Sequence, residues 1–325
     1  VQSTITLEEL YRPVEENLDQ VRHAVTDLWE DALKLVYGPG ATPPKMGGKM
    51  LRPALCLLSA GALGAKDLSE FVPMATAMEL LHIAALAHDD VIDDADTRRG
   101  QRSLNAQWDN HTAVLGGDYL VARSIGILGH YDNTRVITNA IDSVREMAEG
   151  ELTHFGHRLN EPTEESCISL SRQKTASLFA VTCSTPGCLT IGEPSRALHD
   201  YGHGFGIAFQ IADDLLDLTQ DPETLGKPAC GDIVEGKTTL PLLRLRAALD
   251  DKEVKRLDDM TGGDLSEEDK EWIGTVIEST GVRAQTEAIA QGYADDARRA
   301  VQDLGPSRYK DTMIALTEFA LARVS

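Results

Sequence analysis

Ala84-Ala85-Leu86-Ala87-His88-Asp89-Asp90-Val91-Ile92-Asp93-Asp94 decides how this chain folds and where its chemistry sits. Residues 74–88 are almost continuously apolar and rich in alanine, the mark of a helix buried on most sides. That helix then closes on a run of carboxylates. At helical spacing Asp89 and Asp93 lie one above the other, with Asp90 beside them. Acidic groups at a helix C-terminus oppose its dipole, and crowded together they raise one another's pKa. A hard divalent cation relieves both problems, and Mg²⁺ favours carboxylate and phosphate oxygens. The pattern returns at Gln210-Ile211-Ala212-Asp213-Asp214-Leu215-Leu216-Asp217, closing a second apolar stretch, 205–216. One such cluster is ordinarily a solvated face. Two, both on core helices, predict two metal-loaded walls around a ligand that carries phosphates.

The rest of the chain reads with helical period and has no run of alternating β-branched residues, so the fold class is all-α. Helices are predicted over 6–36, 51–64, 70–94, 110–130, 132–157, 163–185, 195–219, 238–250, 268–280, 281–303 and 307–323. Gly38-Pro39-Gly40 with Pro43-Pro44, Pro186-Gly187 and Gly262-Gly263 mark loops. No linker-like stretch interrupts the 325 residues, which are read as one domain, 1–325. A net charge of −21 leaves no basic footprint for nucleic acid. The cysteines at 56, 167, 183, 188 and 230 form no C-x-x-C pair, which fits buried thiols in a reduced, cytoplasmic protein. No 18-residue uncharged run is present, so no transmembrane helix is expected. Glu8, Glu9 and Glu15 near the start are unlike a secretory signal.

Cationic groups flank the acidic blocks. Arg98 and Arg99 follow the first block after a short turn, within reach of metal-bound phosphates. Gly47-Gly48-Lys49-Met50-Leu51-Arg52-Pro53 opens a helix with Lys49 and Arg52 on one face. Lys174-Thr175 lies mid-helix, while Lys227, Asp232 and Lys237 sit in the segment after the second block. Any one of these lysines alone is more often solvent-facing. Together they suffice for two diphosphates, one bound through metal and one held by basic side chains.

In this order the motifs resemble the trans-isoprenyl diphosphate synthase family, the polyprenyl synthetases, and its medium- and long-chain members such as the octaprenyl type. The resemblance rests on H-D-D-V-I-D-D-A-D-T-R-R-G at 88–100, F-Q-I-A-D-D-L-L-D at 209–217, G-G-K-M-L-R-P at 47–53 and E-G-K-T-T-L-P at 235–241. It implies an isoprenoid synthase fold of about ten core helices around a deep cavity, usually as a homodimer. It also implies Mg²⁺-dependent condensation of an allylic prenyl diphosphate with isopentenyl diphosphate. By that resemblance Asp89, Asp90 and Asp93 hold two of about three Mg²⁺, and Asp213, helped by Asp214 and Asp217, holds the third. Arg98, Lys174, Lys227 and Lys237 would bind the allylic diphosphate, and Lys49, Arg52, His82 and Arg99 that of isopentenyl diphosphate. Thr175 and Gln210 would face the allylic cation. Met50 stands where the family often has arginine, and His154 where many relatives place glutamine.

The growing tail must run beside the helix that bears Asp89, which acts as a ruler because each turn rises about 5.4 Å. In the family an aromatic just upstream of the first block halts growth. Here Ala84 and Ala85 leave the way open, and Leu81 and Met78 are the next obstacles. The reading is a product longer than about twenty carbons, about 35 to 50, with transient membrane contact during release. A shorter geranylgeranyl- or farnesyl-sized product is the main alternative, and a noncatalytic subunit of a heteromeric synthase a further one. Such subunits tend to lose aspartates, and this chain keeps both blocks whole.

Overall fold

The computed structural model describes residues 6–37, 48–93, 97–98, 101–107, 109–157, 162–219, 229–263 and 265–322. Helices dominate them in the order α1 Leu7–Tyr11, α2 Glu15–Tyr37, α3 Leu51–Ala62, α4 Val72–Ile92, α5 Leu104–Gln107, α6 Asn110–Gly129 and α7 Thr134–His157. There follow α8 Glu164–Ser171, α9 Ser177–Ser184, α10 Gly187–Thr190, α11 Arg196–Thr219, α12 Gly231–Val234 and α13 Leu240–Ala248. Then come α14 Asp251–Asp259, α15 Glu267–Ser279, α16 Val282–Ala300 and α17 Arg308–Ala322.

Most ends fall within a turn of the sequence expectation, and the departures have local causes. The stretch 6–36 is split at Pro13, which opens a 3₁₀ turn over Arg12–Val14 because proline lacks the donor a continuing helix needs. The stretch 163–185 is broken by a π-helical turn, Arg172–Ala176. Helix α14 lies outside the helices expected from the sequence. Asp250 starts it with a reciprocal capping box to Glu253. The all-α reading holds, apart from a two-residue antiparallel pair, Thr97–Arg98 with Gln101–Arg102.

The two helices that carry the aspartates occupy the centre. α4 begins with Pro73 in its first turn, where a missing N–H costs nothing, and buries Met74, Ala77, Met78, Leu81, Ala84 and Ala87. Among the described residues, Leu68–Ile92 alone is long and apolar enough to cross a membrane, and 61% of its apolar window is buried inside the fold, as in a core helix. α11 runs between α9 and α16, and its glycines set how closely. A Cβ on Gly204 would stand 2.8 Å from the Tyr293 carbonyl oxygen of α16, and one on Gly206 would stand 2.6 Å from Ala176 Cα. All five thiols are buried and unbridged. Burial pushes Cys183 up to about 12, which makes it an inert core group.

Candidate active site

The two acidic blocks meet at one pocket through lysines. Asp89 and Asp93 share a face of α4, and the Asp93 N–H donates to the Asp89 carbonyl at 2.8 Å to close the last turn. The Lys174 ammonium lies 3.3 Å from Asp89 Oδ2 and also pairs with Glu151 of α7. Lys237 donates to Asp93 Oδ2 at 2.8 Å and pairs with Glu235 at 2.5 Å. Gly236, at φ +66°, makes the left-handed turn that aims Lys237 back at α4.

From the second block, Gln210 Nε2 donates to Asp214 Oδ1 at 2.7 Å, and Gln210 Oε1 accepts from the Thr175 hydroxyl at 2.6 Å. A carboxylate only accepts, so this amide orientation follows from its partner. Because Thr175 adjoins Lys174, one short segment ties Asp214 to Asp89. That segment is the π-turn, which widens the coil where Lys174 and Thr175 must both reach the site. It is gripped from two sides by glycines. A Cβ on Gly150 of α7 would sit 2.8 Å from Gln173 Cβ, and Gly206 of α11 touches Ala176 from the other side.

This grip yields a test. Gly→Ala in a helix normally gains about 1 kcal/mol, whereas forced overpacking costs about 1–3 kcal/mol. The neighbour of Gly206 is backbone, which cannot rotate away, so the clash wins. Gly206→Ala is expected to lower the melting temperature and to depress kcat by displacing Lys174 and Thr175. Gly292→Ala on α16, with nothing near its added Cβ, should be neutral or stabilising. Thermal melts and turnover of both variants check the pair.

The pocket encloses about 140 Å³, with Asp93, Glu151, Asp214 and Asp232 on its wall against Lys174 and Lys237, and Leu170 and Leu240 among its apolar lining. Burial raises the Asp89 carboxyl above the usual range; Lys174 opposes this, while Glu151 and Asp93 add to it. Burial, more than crowding, is therefore the main cause. Burial also pulls the Lys174 ammonium down, but Asp89 and Glu151 outweigh it and the net direction is up. Lys237 is held protonated in the same way, by hydrogen bonds to Asp93 and Glu235 that overcome burial.

The other expected site residues are distributed unevenly. Asp90 and Asp217 are buried away from the pocket; Asp217 Oδ2 accepts from the Asp232 N–H at 3.0 Å and so anchors the start of α12. Asp213 is partly exposed at the end of α11. Lys49, Arg52 and His82 lie outside the pocket wall, with the Arg52 guanidinium 4.2 Å above the Phe179 ring. Arg99 and Lys227 fall outside the described residues, as do the side chains of Arg98 and His154. Met78, Leu81 and Ala84 are buried, Ala85 is half-buried, and none borders this pocket. Glu151 and Glu235 were missed by sequence reasoning. Glu151 follows Gly150, and an acid next to a close-packing glycine on an otherwise amphipathic helix was the available signal.

Among the described residues no three acidic or imidazole side chains converge into a ready-made metal cage. The donor set nonetheless fits a hard divalent ion. Carboxylate oxygens from two helix ends face a shared space with ammonium groups between them, and Mg²⁺ keeps several waters and needs few protein ligands.

Comparison with known proteins decides the family. The polyprenyl synthetase profile matches residues 34–277. The chain belongs to the polyprenyl synthetase family. It is an enzyme of the trans-prenyltransferase class, joining isoprenoid diphosphates head to tail. Among relatives of this synthetase, a geranyl-diphosphate-specific all-trans-nonaprenyl-diphosphate synthase of Rhodobacter capsulatus is 32% identical over 98% of both chains. The heptaprenyl diphosphate synthase component 2 of Geobacillus stearothermophilus is 36% identical over 86% of this chain and 89% of its own. A short chain isoprenyl diphosphate synthase of Methanothermobacter thermautotrophicus is 31% identical over 94% of each. A polyprenyl synthase of Caulobacter crescentus, solved with calcium and isoprenyl diphosphate, superposes with a TM-score of 0.88 at 30% identity, covering both chains fully. The synthetase thus has the all-α isoprenoid synthase fold.

Proposed function

We propose that this chain uses Mg²⁺ to condense isopentenyl diphosphate with an allylic prenyl diphosphate, building an all-trans polyprenyl diphosphate of about 35 to 50 carbons. The observation that carries the reading is the lysine-bridged pocket, where Lys174 and Lys237 each sit between carboxylates of different helices or loops. The excess of acid there calls for cations, and the lysines supply phosphate partners once cations arrive. The long product is supported by the nonaprenyl and heptaprenyl relatives, against which the short-chain relative weighs.

Asp89, Asp93, Asp213 and Asp214 would hold the ions, while Asp217 holds the start of α12. Bound there, Mg²⁺ would neutralise charge on the departing diphosphate. Lys174 and Lys237 exchange carboxylate for phosphate oxygens as the allylic diphosphate docks, and Arg98 and Lys227 would bind the same diphosphate. Gln210 and Thr175 turn oxygen lone pairs towards the allylic carbon as positive charge grows on it. Lys49, Arg52, His82 and Arg99 hold the second diphosphate, so that the alkene of isopentenyl diphosphate lies over that carbon. The allylic C–O bond breaks, the new C–C bond forms, and a proton leaves C2 of the added unit. The released diphosphate accepts that proton, since the neighbouring carboxylates are committed to cations. The enzyme works as a single-domain homodimer in the cytoplasm, with transient membrane contact as the apolar product leaves.

The test is incubation of purified protein with isopentenyl diphosphate and primers of five to twenty carbons, with Mg²⁺ or with EDTA. Mass spectrometry should find polyprenyl diphosphates longer than twenty carbons with Mg²⁺ and none with EDTA. Products that stop at twenty carbons or below would overturn the long-chain assignment. The heptaprenyl component 2 relative favours a second reading, in which turnover needs a different partner chain; product from this chain alone excludes it.

A further inference from the structure

We infer that Tyr11, on the N-terminal helix α1, is a positioning residue for the isopentenyl diphosphate subsite, acting through the backbone of Lys49. The inference rests on the proposed role of Lys49 and Arg52 in holding that diphosphate. Tyr11 lies before the family-matched segment, which begins at residue 34, so the family match assigns it nothing. Its hydroxyl donates to the Lys49 carbonyl oxygen at 2.5 Å, across 38 positions of sequence.

Both ends of that bond are firmly set. α1 has a capping box in which Thr6 and Glu9 satisfy each other's backbone N–H groups. The Tyr11 ring is 5% exposed and belongs to the main core cluster. On the far side, Met50 is in the left-handed region, φ +52° and ψ 33°, which L side chains avoid. Its side chain is buried in the same cluster, so the backbone there is pinned from two directions. Met50 directly precedes α3, and the Ala54 N–H donates to the Met50 carbonyl at 3.0 Å to begin it.

The geometry has a functional direction. The peptide between Lys49 and Met50 carries the carbonyl that Tyr11 holds, and turning that peptide is the motion by which Met50 would relax to an ordinary φ. The same turn would redirect the Lys49 side chain and disturb the first turn of α3, which bears Arg52. Arg52 is itself located by its stack on Phe179, the helix-α9 residue just beyond the π-turn. Tyr11 thus keeps Lys49 in register with an arginine that is already fixed. This also gives a physical reason for methionine to stand at position 50. The left-handed residue is anchored by burial, and cationic work falls to its neighbours on each side.

Tyr11→Phe keeps the ring and its packing and removes only the hydroxyl. In steady-state assays with both substrates varied, KM for isopentenyl diphosphate should rise about three- to tenfold, the range for one lost hydrogen bond. KM for the allylic diphosphate and kcat should stay within about twofold, since Tyr11 does not line the pocket of Lys174 and Lys237. In a Lys49→Ala background, adding Tyr11→Phe should raise that KM no further, because the residue it positions is gone. Equal rises in both KM values, or a full additional rise in the Lys49→Ala background, would assign Tyr11 to general packing. An unchanged KM in an active enzyme would also overturn the inference while leaving the proposed function standing. A wild-type protein that consumes no isopentenyl diphosphate with any primer would sink the proposed function first.

Discussion

Asp89→Asn is expected to lower kcat by about 10²–10³-fold, the range for losing one preorganised partner of transition-state charge, without lowering the melting temperature of the metal-free protein. The two halves of this expectation come from the same burial. Asp89 is 17% exposed and its pKa is raised, chiefly by burial. A carboxyl with a raised folded-state pKa contributes its stability at low pH and loses it as pH rises through that value. At neutral pH its charge therefore weighs against the metal-free fold. An amide of the same shape removes the charge, and Lys174 keeps Glu151 as its partner. With Mg²⁺ present the order reverses. Ion binding stabilises the wild type by mass action, and the variant, short of one ligand, should gain less. Melting curves with and without Mg²⁺, alongside isopentenyl diphosphate incorporation, separate these effects. Activity within tenfold of wild type would remove Asp89 from the ion-holding set.

The sequence was most legible where two rules agreed. Residues 74–93 carry both an apolar period and an acid block, and α4 is found where both place it. The same holds for 205–217 and α11. Legibility failed where the decisive contact was between distant backbones. The π-turn at Arg172–Ala176 packs against Gly150 and Gly206, and no local signal in R-Q-K-T-A announces it. Glu151 was hard to single out for a related reason, because beyond its place next to Gly150 its role depends on Lys174 arriving from another helix. Six aspartates in two matching motifs read as one ion-binding set, with Asp214 and Asp217 as helpers of Asp213, and burial divides them further. Asp217 spends a carboxylate oxygen on the Asp232 N–H, a use that spacing alone does not distinguish from metal binding.

Ala84→Phe is expected to collapse the product distribution to about fifteen to twenty carbons, because the ring would stand little more than a turn from Asp89 on the ruler helix. Ala84 is 1% exposed within the main core cluster, and the pocket of Lys174 and Lys237 does not reach it. A phenyl group there has two ways to act. If the tail threads past α4 when substrate binds, the ring occupies the path and growth stops early. If Ala84 serves only to bring α4 close to its neighbour α6, the ring overpacks that contact, at a cost of about 1–3 kcal/mol. Both produce a less stable protein, so stability does not discriminate. Product length does, provided ionisation survives, and it should, since Lys174, Thr175 and Gln210 belong to other helices. Turnover with the shortest primer is therefore expected to stay within about tenfold of wild type while mass spectrometry finds the long products gone. Unchanged lengths from a destabilised variant would move the floor of the tunnel to the facing side, where Tyr119, Val121 and Ile125 of α6 pack against the same cluster. The methyl groups of Ala84 and Ala85 would then matter for how tightly two helices touch, and chain length would be set by side chains that no aspartate-based register could single out.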